Sequence, residues 1–227
     1  MVIIDRTTAV WFDLDDTLYC EHDYVRSGFK AVAEFLGDFG HLDPAVLYRE
    51  MTDEWRKNGR GKIFDRIINA HALSIAPDLL VRVYREHEPQ LSLYPDADNF
   101  LALLASRSIP TGIITDGDKG VQWRKIEALG IRCRLQAIIV TDELGRECWK
   151  PSAVPYRRAM ESLQGNVRSF IYIGDNPHKD FCTAKALGFH TIRIIRETGD
   201  HMETRLAPDF EADETITTLE ELVPLIT

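Results

Sequence analysis

The sequence has little cysteine and no long apolar run. Its 227 residues include four cysteines, and no two of them form a C-x-x-C pair. Scattered thiols in a chain of this length do not indicate a disulfide framework, so we expect reduced cysteines and a cytoplasmic location. No stretch approaches about 18 consecutive apolar residues, and Asp5 and Arg6 interrupt the N-terminal segment early. The sequence therefore predicts neither a signal peptide nor a membrane-spanning segment.

Positive charge is also in short supply. The chain has 27 lysines and arginines against 36 aspartates and glutamates, which gives a net charge of −9. Such a chain has no general attraction for a phosphate backbone or an anionic membrane surface, so we predict no nucleic-acid and no membrane partner. Hydrophobic residues make up 44% of the chain, which is enough to form a substantial core. The length is typical of one domain that carries a smaller insert.

Several catalytic motifs of other enzyme classes are missing. The chain has no G-x-S-x-G nucleophile elbow, no G-x-G-x-x-G after the first predicted strand and no Walker A phosphate loop. None of the seven histidines has a zinc-binding spacing. These absences argue against an α/β-hydrolase, a dinucleotide-dependent enzyme, a P-loop nucleotidase and a zinc enzyme.

The hydrophobic pattern changes twice along the chain. Residues 8–14 form a β-branched and aromatic run typical of a buried strand in a parallel sheet. Residues 18–94 have helical spacing throughout. From Pro95 onward helices alternate with short apolar strands. The predicted strands are 110–115, 136–141, 168–174 and 190–195, the predicted helices are 95–106, 121–129, 152–163 and 179–187, and a last strand and helix lie within 213–226.

This alternation of strands and helices predicts β-α-β crossovers and therefore a mostly parallel α/β sheet. The first strand belongs to the same sheet, so the helical block interrupts the α/β domain. We therefore predict an α/β core domain over residues 1–17 and 95–227 and an all-helical domain over residues 18–94, inserted after the first strand.

Polar residues follow the predicted strands at the points where the strands end. Ligands of an open parallel sheet bind at the carboxyl ends of its strands, so we expect these residues to converge on one rim. Converging carboxylates repel and require a cation, and oxygen ligands favour Mg²⁺, which commonly binds together with a phosphate. Hydroxyl, backbone N–H and lysine donors can bind that phosphate. The carboxylates are Asp13, Asp15, Asp175 and Asp180, and the donors are the Thr115 side chain, the backbone amides of Asp116 and Gly117, and the Lys150 side chain.

Four short elements among these residues carry a family resemblance. They are D-L-D-D-T at 13–17, T-D-G at 115–117, K-P at 150–151 and G-D-N-P-H-K-D at 174–180. In this order they resemble motifs one to four of the haloacid dehalogenase-like (HAD) superfamily, and the helical block lies where that family inserts its C1 cap. The resemblance implies a Rossmann-like core, a C1 cap, Mg²⁺ as the cofactor and phosphoryl transfer through an aspartyl-phosphate.

The resemblance also implies a role for each matched residue. Asp13 would be the nucleophile and a metal ligand, and Asp15 would be the general acid and base, with its backbone carbonyl on the metal. Asp175 would be the remaining metal ligand. Asp180 would hold metal-bound water or Lys150. Phosphate would be bound by the Thr115 hydroxyl, the backbone amides of Asp116 and Gly117, and Lys150.

The cap residues are assigned as hypotheses. A basic cluster lies between Arg56 and Arg66. We hypothesise that Arg60 and Lys62 of this cluster bind a second anionic group of the substrate, and that His22 faces the active site. The alternatives are a solvated surface for the two cations and a structural role for His22.

The combined pattern predicts a Mg²⁺-dependent phosphatase acting on a small phosphorylated metabolite, a sugar phosphate or a nucleoside monophosphate. We expect a monomer or a small homo-oligomer. A haloacid dehalogenase is disfavoured, because it does not need the acid and base that Asp15 supplies. Two alternatives stay open: a β-phosphoglucomutase-like phosphomutase, which uses the same pair of aspartates, and a non-catalytic binding or regulatory protein of the same fold.

Overall fold

The computed structural model describes residues 3–40, 42–163 and 166–227, and the chain divides into two compact units. One unit combines the N-terminal segment up to Glu21 with Leu91–Thr227, and we call it the α/β unit. The other is His22–Gln90, and we call it the helical unit. That residues 18–94 act as a cap domain stays a prediction.

A parallel sheet of six strands forms the centre of the α/β unit, in the order β3-β2-β1-β4-β5-β6. The strands are β1 (Thr8–Phe12), β2 (Thr111–Thr115), β3 (Ala137–Val140), β4 (Ser169–Gly174), β5 (His190–Ile194) and β6 (Glu214–Ile216). Every residue of β1 is buried, as expected for a central strand covered on both faces. Val10 pairs with Thr111 of β2 and with Ile171 of β4. Because the three strands run in register, their carboxyl ends meet at one edge.

The helical unit is built from amphipathic helices. They are α1 (Glu21–Gly40), which begins at the last residue of the α/β unit, α2 (Pro44–Asn58), α3 (Ile63–Ala70) and α4 (Pro77–Glu86). Val25, Phe29, Val32 and Leu36 recur every three or four residues along α1 and lie in the apolar core of this unit. Asp43 caps α2 by accepting a hydrogen bond of 2.8 Å from the Ala45 amide.

Four more helices belong to the α/β unit. They are α5 (Pro95–Ser106), α6 (Lys119–Ala128), α7 (Ala153–Ser162) and α8 (Cys182–Ala186). The Asp118 side chain caps α6 by accepting from the Val121 amide at 3.2 Å, so this helix begins directly after the T-D-G element that follows β2. No helix among the described residues is both long and apolar enough to cross a membrane.

The predicted α/β fold class is confirmed, and two local features differ from expectation. The helix expected from residue 179 begins at Cys182, because Asp180 instead folds back in a turn and accepts from the Asn176 amide at 3.0 Å. The helix expected near the C-terminus is a 3₁₀ helix, Leu219–Leu225, with Pro224 inside it. Proline lacks the amide hydrogen that a regular α-helix needs at that position.

A buried ion pair joins distant parts of the α/β unit. Arg196 Nη1 lies 2.6 Å from Asp96 Oδ2, and Arg196 also donates to the Thr17 carbonyl from Nε at 3.2 Å and from Nη2 at 2.7 Å. The same Asp96 oxygen accepts from the Thr218 hydroxyl at 3.0 Å and from the Leu219 amide at 2.8 Å. One ion pair therefore holds the start of α5, the segment after β5 and the C-terminal 3₁₀ helix together.

We expect Arg196→Met to lower the free energy of unfolding by about 2 kcal/mol, because the partly buried Asp96 carboxylate would lose its counter-charge and keep only its hydrogen bonds within the chain. Urea denaturation at pH 7 measures this loss. Arg158→Met, at an exposed position of α7, is the matched control and is expected to change the same quantity by less than about 0.5 kcal/mol. Equal stabilities of the two variants would contradict the expectation.

Candidate active site

The carboxyl edge of the sheet collects the acidic residues that follow the strands. Asp13 follows β1, Asp175 follows β4, and the turn before α8 places Asp180 beside them. Each of the three offers a carboxylate oxygen, and these oxygens lie within 4.8 Å of one another. All three residues are buried. Carboxylates so close together repel, so the cluster requires positive charge nearby.

Lys150 supplies part of this positive charge. Its ammonium donates hydrogen bonds to Asp13 Oδ1 at 2.6 Å, to Asp180 Oδ1 at 2.8 Å and to the Tyr172 hydroxyl at 2.8 Å. Burial acts to lower the pKa of Lys150, but the charges of Asp13 and Asp180 outweigh it, and the pKa lies well above its ordinary value. Lys150 is therefore a cation held at a fixed place between two of the carboxylates.

Lys150 does not neutralise three carboxylates, although the charge of Lys179 also acts to lower the pKa of Asp13 and of Asp175. Burial raises the pKa of Asp13, and burial together with the charges of Asp13 and Asp180 raises the pKa of Asp175. Asp13 Oδ2 is buried and has no hydrogen-bond partner among the described residues. An unpartnered carboxylate oxygen next to a second carboxylate fits a hard divalent cation, whose preferred ligands are oxygens. The residues present are thus suited to a Mg²⁺-type ion.

Asp15 lies two residues after Asp13 but has different surroundings. Its Oδ1 accepts from Lys125 Nζ at 2.6 Å and from the Tyr19 hydroxyl, and its Oδ2 accepts from Gln122 Nε2 at 3.0 Å. Burial acts to raise the pKa of Asp15, but Lys125 and these hydrogen bonds outweigh it, and the pKa is lowered. The carboxylates of Asp13 and Asp15 therefore differ in character.

The T-D-G element after β2 presents a hydroxyl and two backbone amides. Thr115 is fully buried, and its hydroxyl oxygen accepts from Gln122 Nε2. The Asp116 carboxylate accepts from the Thr141 hydroxyl at 2.7 Å and from the Lys150 amide at 3.1 Å. Its negative charge is therefore used to position Lys150. Gly117 has φ of 135°, a conformation that L side chains rarely adopt.

Glycine is also required where β4 ends. A Cβ atom at Gly174 would lie 2.5 Å from Asp180 Oδ2, closer than two such atoms can approach. The absence of a side chain lets Asp180 reach Lys150 from the turn before α8. Asp180 is fully buried, and its Oδ1 also accepts from the Tyr172 hydroxyl at 3.2 Å.

The acidic cluster opens into a cavity of about 320 Å³. Its lining includes Asp13, Asp15, Lys150, Asp175, Lys179 and His201. Lys179 and His201 are additions to the predicted set. Lys179 Nζ lies 3.8 Å from Asp116 Oδ2. The segment that carries His201 is held by Asp16, whose carboxylate accepts from the amides of Glu21 at 2.8 Å and Asp200 at 3.2 Å. Burial raises the pKa of Asp16 to about 6.

The three predicted cap residues lie in the helical unit. Arg60 and Lys62 belong to the exposed turn between α2 and α3, and both line a cavity of about 300 Å³ whose walls include Phe29 and Phe64. His22 packs edge-on against Trp55, with 4.8 Å between the ring centroids. Their roles in substrate specificity stay predictions.

Two residues of α6 were missed at the sequence level. Gln122 and Lys125 are 1% and 3% exposed, respectively, and both contact Asp15. Their spacing could have indicated this, because Gln122 and Lys125 are three residues apart and lie on the side of the helix that also carries the apolar, fully buried Ile126. Polar side chains on the buried face of a helix usually have a specific partner, so this spacing was informative.

The parallel sheet and the buried aspartate and lysine cluster at its carboxyl edge agree with the fold and the motif arrangement predicted above. Comparison with known proteins identifies the family. The sequence pattern of the haloacid dehalogenase-like hydrolases matches residues 10–194, and the chain belongs to this family. The predicted superfamily and the prediction of a hydrolase are confirmed.

The chain is similar to two curated proteins over nearly its whole length. It is 28% identical over 225 residues to the glyceraldehyde 3-phosphate phosphatase of Methanocaldococcus jannaschii, and the match covers 96% of each chain. It is 28% identical over 238 residues to the ribulose-1,5-bisphosphate 5-phosphatase of Halopiger xanaduensis, covering 96% of this chain and 99% of that one.

A solved structure shares the fold. The HAD-hydrolase YfnB of Bacillus subtilis, in a form bound to magnesium, superposes with a TM-score of 0.64 at 18% sequence identity, covering 97% of this chain and 99% of that one. At this level of identity the likeness supports the fold and not a particular activity.

Proposed function

We propose that this protein is a Mg²⁺-dependent phosphatase that hydrolyses a small phosphomonoester through an aspartyl-phosphate. The observation that carries the proposal is the buried cluster of Asp13, Asp175 and Asp180 around Lys150, with one oxygen of Asp13 left unpartnered. The two curated relatives are named as phosphatases of phosphorylated sugars, which supports a sugar phosphate as the substrate class.

The metal site in this proposal consists of the side chains of Asp13 and Asp175 and the backbone carbonyl of Asp15. When bound, Mg²⁺ would supply positive charge to the phosphoryl oxygens and offset the repulsion between the carboxylates. Lys150 stays between Asp13 and Asp180 and contributes a fixed positive charge of its own.

The first chemical step is assigned to Asp13 and Asp15. A carboxylate oxygen of Asp13 attacks phosphorus, the new O–P bond forms, and the bond from phosphorus to the leaving oxygen breaks. Asp15 acts in this step in its protonated form, gives its proton to the departing oxygen so that a neutral alcohol leaves, and becomes the carboxylate that takes a proton from water in the second step. The Thr115 hydroxyl, the backbone amides of Asp116 and Gly117, and Lys150 stabilise the charge on the equatorial oxygens.

The second step returns the enzyme to its starting state. Asp15 takes a proton from a water molecule, the water oxygen attacks phosphorus, and the bond between phosphorus and Asp13 breaks. The products are inorganic phosphate and the free Asp13 carboxylate. Because water is the final acceptor, the phosphoryl group does not return to an organic product.

A phosphate-release screen over sugar phosphates and nucleoside monophosphates tests the proposal. We expect release of inorganic phosphate with Mg²⁺ present, a fall in rate of at least about 100-fold in EDTA, and recovery when Mg²⁺ is restored in excess. An isomeric phosphorylated product without free phosphate would indicate a phosphomutase instead. No turnover of any compound would contradict the proposal and favour a binding protein.

A further inference from the structure

Two buried polar side chains of α6 have no place in the mechanism given above. Gln122 and Lys125 are three residues apart and therefore lie on the same face of the helix. They are 1% and 3% exposed, respectively. Burial of an ammonium group and an amide is costly unless both have specific partners. Their common partner is Asp15, the proposed general acid.

Both oxygens of the Asp15 carboxylate are held by these residues. Lys125 Nζ donates to Oδ1 at 2.6 Å, and Gln122 Nε2 donates to Oδ2 at 3.0 Å. The Tyr19 hydroxyl also donates to Oδ1. A carboxylate held through both oxygens by groups on a rigid helix has a fixed orientation, and proton transfer depends on such orientation.

Gln122 makes a second contact that connects Asp15 with the proposed phosphate site. Its Nε2 also donates to the Thr115 hydroxyl oxygen. The nitrogen of the Gln122 amide faces Asp15 Oδ2, and Thr115 receives a hydrogen bond from the same nitrogen. The hydroxyl hydrogen of Thr115 is then available for donation to another acceptor, such as a phosphate oxygen.

The backbone before α6 is shaped to allow this approach. Gly117 has φ of 135°, and a Cβ atom there would lie 3.1 Å from Gln122 Cδ and 3.2 Å from Gln122 Oε1. A side chain at this position would press on Gln122. Asp118 then caps α6, so this one residue separates the T-D-G element from the start of the helix at Lys119. The T-D-G element, Gln122 and Lys125 thus belong to one continuous segment of the chain.

We infer that Gln122 and Lys125 are positioning residues for proton transfer to the leaving group: they fix the direction of the Asp15 carboxylate, and Gln122 also orients the Thr115 hydroxyl. The inference rests on the proposed function, because it takes Asp15 as the general acid. The contribution of Gln122 and Lys125 to the rate should therefore depend on whether the leaving group of the substrate needs a proton.

The leaving group provides the test. An alkyl phosphate releases an alkoxide that needs a proton, whereas p-nitrophenyl phosphate releases a phenolate that does not. In Lys125→Met we expect kcat/KM for an alkyl phosphate to fall about 100-fold and kcat/KM for p-nitrophenyl phosphate to fall less than about threefold. The ratio kcat/KM is compared because it reports the step in which the leaving group departs and not the later attack of water.

Matched variants separate positioning from a general structural defect. Lys119→Met, at an exposed position of the same helix, is expected to leave both values unchanged. Lys125→Arg keeps the charge and is expected to recover most of the alkyl phosphate activity. In an Asp15→Asn background, Lys125→Met is expected to cause no further loss on the alkyl phosphate, because it acts through Asp15.

Equal losses on the two substrates in a folded Lys125→Met variant would overturn the inference, and so would a further loss in the Asp15→Asn background. If Lys125→Met does not fold, as judged by its thermal melt, Gln122→Met is used instead, and its loss of kcat/KM on the alkyl phosphate is expected to exceed its loss on p-nitrophenyl phosphate, since only the second contact of Gln122, with Thr115, affects both substrates. If the proposed function itself is wrong, the result differs: the unmutated protein would show no Mg²⁺-dependent phosphate release from either substrate.

Discussion

Asp13→Asn is expected to lower kcat for phosphate release by at least about a thousandfold, equivalent to about 4 kcal/mol of transition-state stabilisation. The asparagine amide is a poor nucleophile, and it also removes a negative charge from the proposed metal site. Lys150 keeps its contact with Asp180 at 2.8 Å, so the variant is expected to fold. Steady-state phosphate release measures kcat, and a thermal melt shows whether the variant is folded; both are measured with Mg²⁺.

Asp209→Asn is a suitable control, since it makes the same chemical change at an exposed carboxylate of the α/β unit. Its kcat is expected to match that of the unmutated protein. A folded Asp13→Asn variant with undiminished kcat would show that another group attacks phosphorus. This result would contradict the mechanism proposed above.

The second large effect is expected for Lys150→Met, which removes the ammonium that lies between Asp13 and Asp180. We expect a loss of about 3–5 kcal/mol in the free energy of unfolding at pH 8, because the clustered carboxylates would stay buried without the cation that donates to two of them. Phosphate release is expected to fall at least about 100-fold, since the proposed phosphate site loses its lysine. Urea denaturation in EDTA and activity assays in Mg²⁺ measure the two losses.

The stability loss of Lys150→Met is also expected to depend on pH. Burial already raises the pKa of Asp13 and of Asp175, and loss of the cation would raise them further. A carboxyl group whose pKa is higher in the folded state than in the unfolded state lowers the free energy of unfolding when it is ionised. This loss of stability is complete above the folded-state pKa and absent below the unfolded-state pKa. The deficit is therefore expected to shrink as the pH falls toward 4. Lys119→Met controls for removal of a lysine, and a deficit that grows on acidification would contradict this account.

The position of the site was predictable because it follows from sheet topology. Side chains that come directly after parallel strands meet at one edge, and this rule predicted that Asp13 and Asp175, from segments far apart in the chain, lie close together. Helix α5 likewise begins and ends where the hydrophobic pattern places it, at Pro95 and Ser106. Both predictions depend only on backbone geometry and periodicity.

The contacts within the site were less predictable, because they depend on where side chains reach in three dimensions. Nothing in the spacing of Lys125 shows that its ammonium lies 2.6 Å from Asp15, 110 residues away in sequence. The turn that carries Asp180 back to Lys150 replaces the start of a predicted helix, since its hydrogen bonds form with Asn176 and Lys150 instead of along a helix. Propensity is a weak guide where such tertiary contacts compete.

The central place of β1 has a consequence for how the protein is made. Val10 pairs with Thr111 on one side and with Ile171 on the other, so β1 meets its second neighbour, β4, only after the long segment between the two strands has been synthesised. Until then T-A-V-W-F is an apolar segment with two open edges, the kind of segment that associates with other chains. The helical unit, His22–Gln90, is complete much earlier and is local in sequence. Nascent chains are therefore expected to hold a folded helical unit beside an unpaired first strand, a state in which chaperone binding would protect the protein.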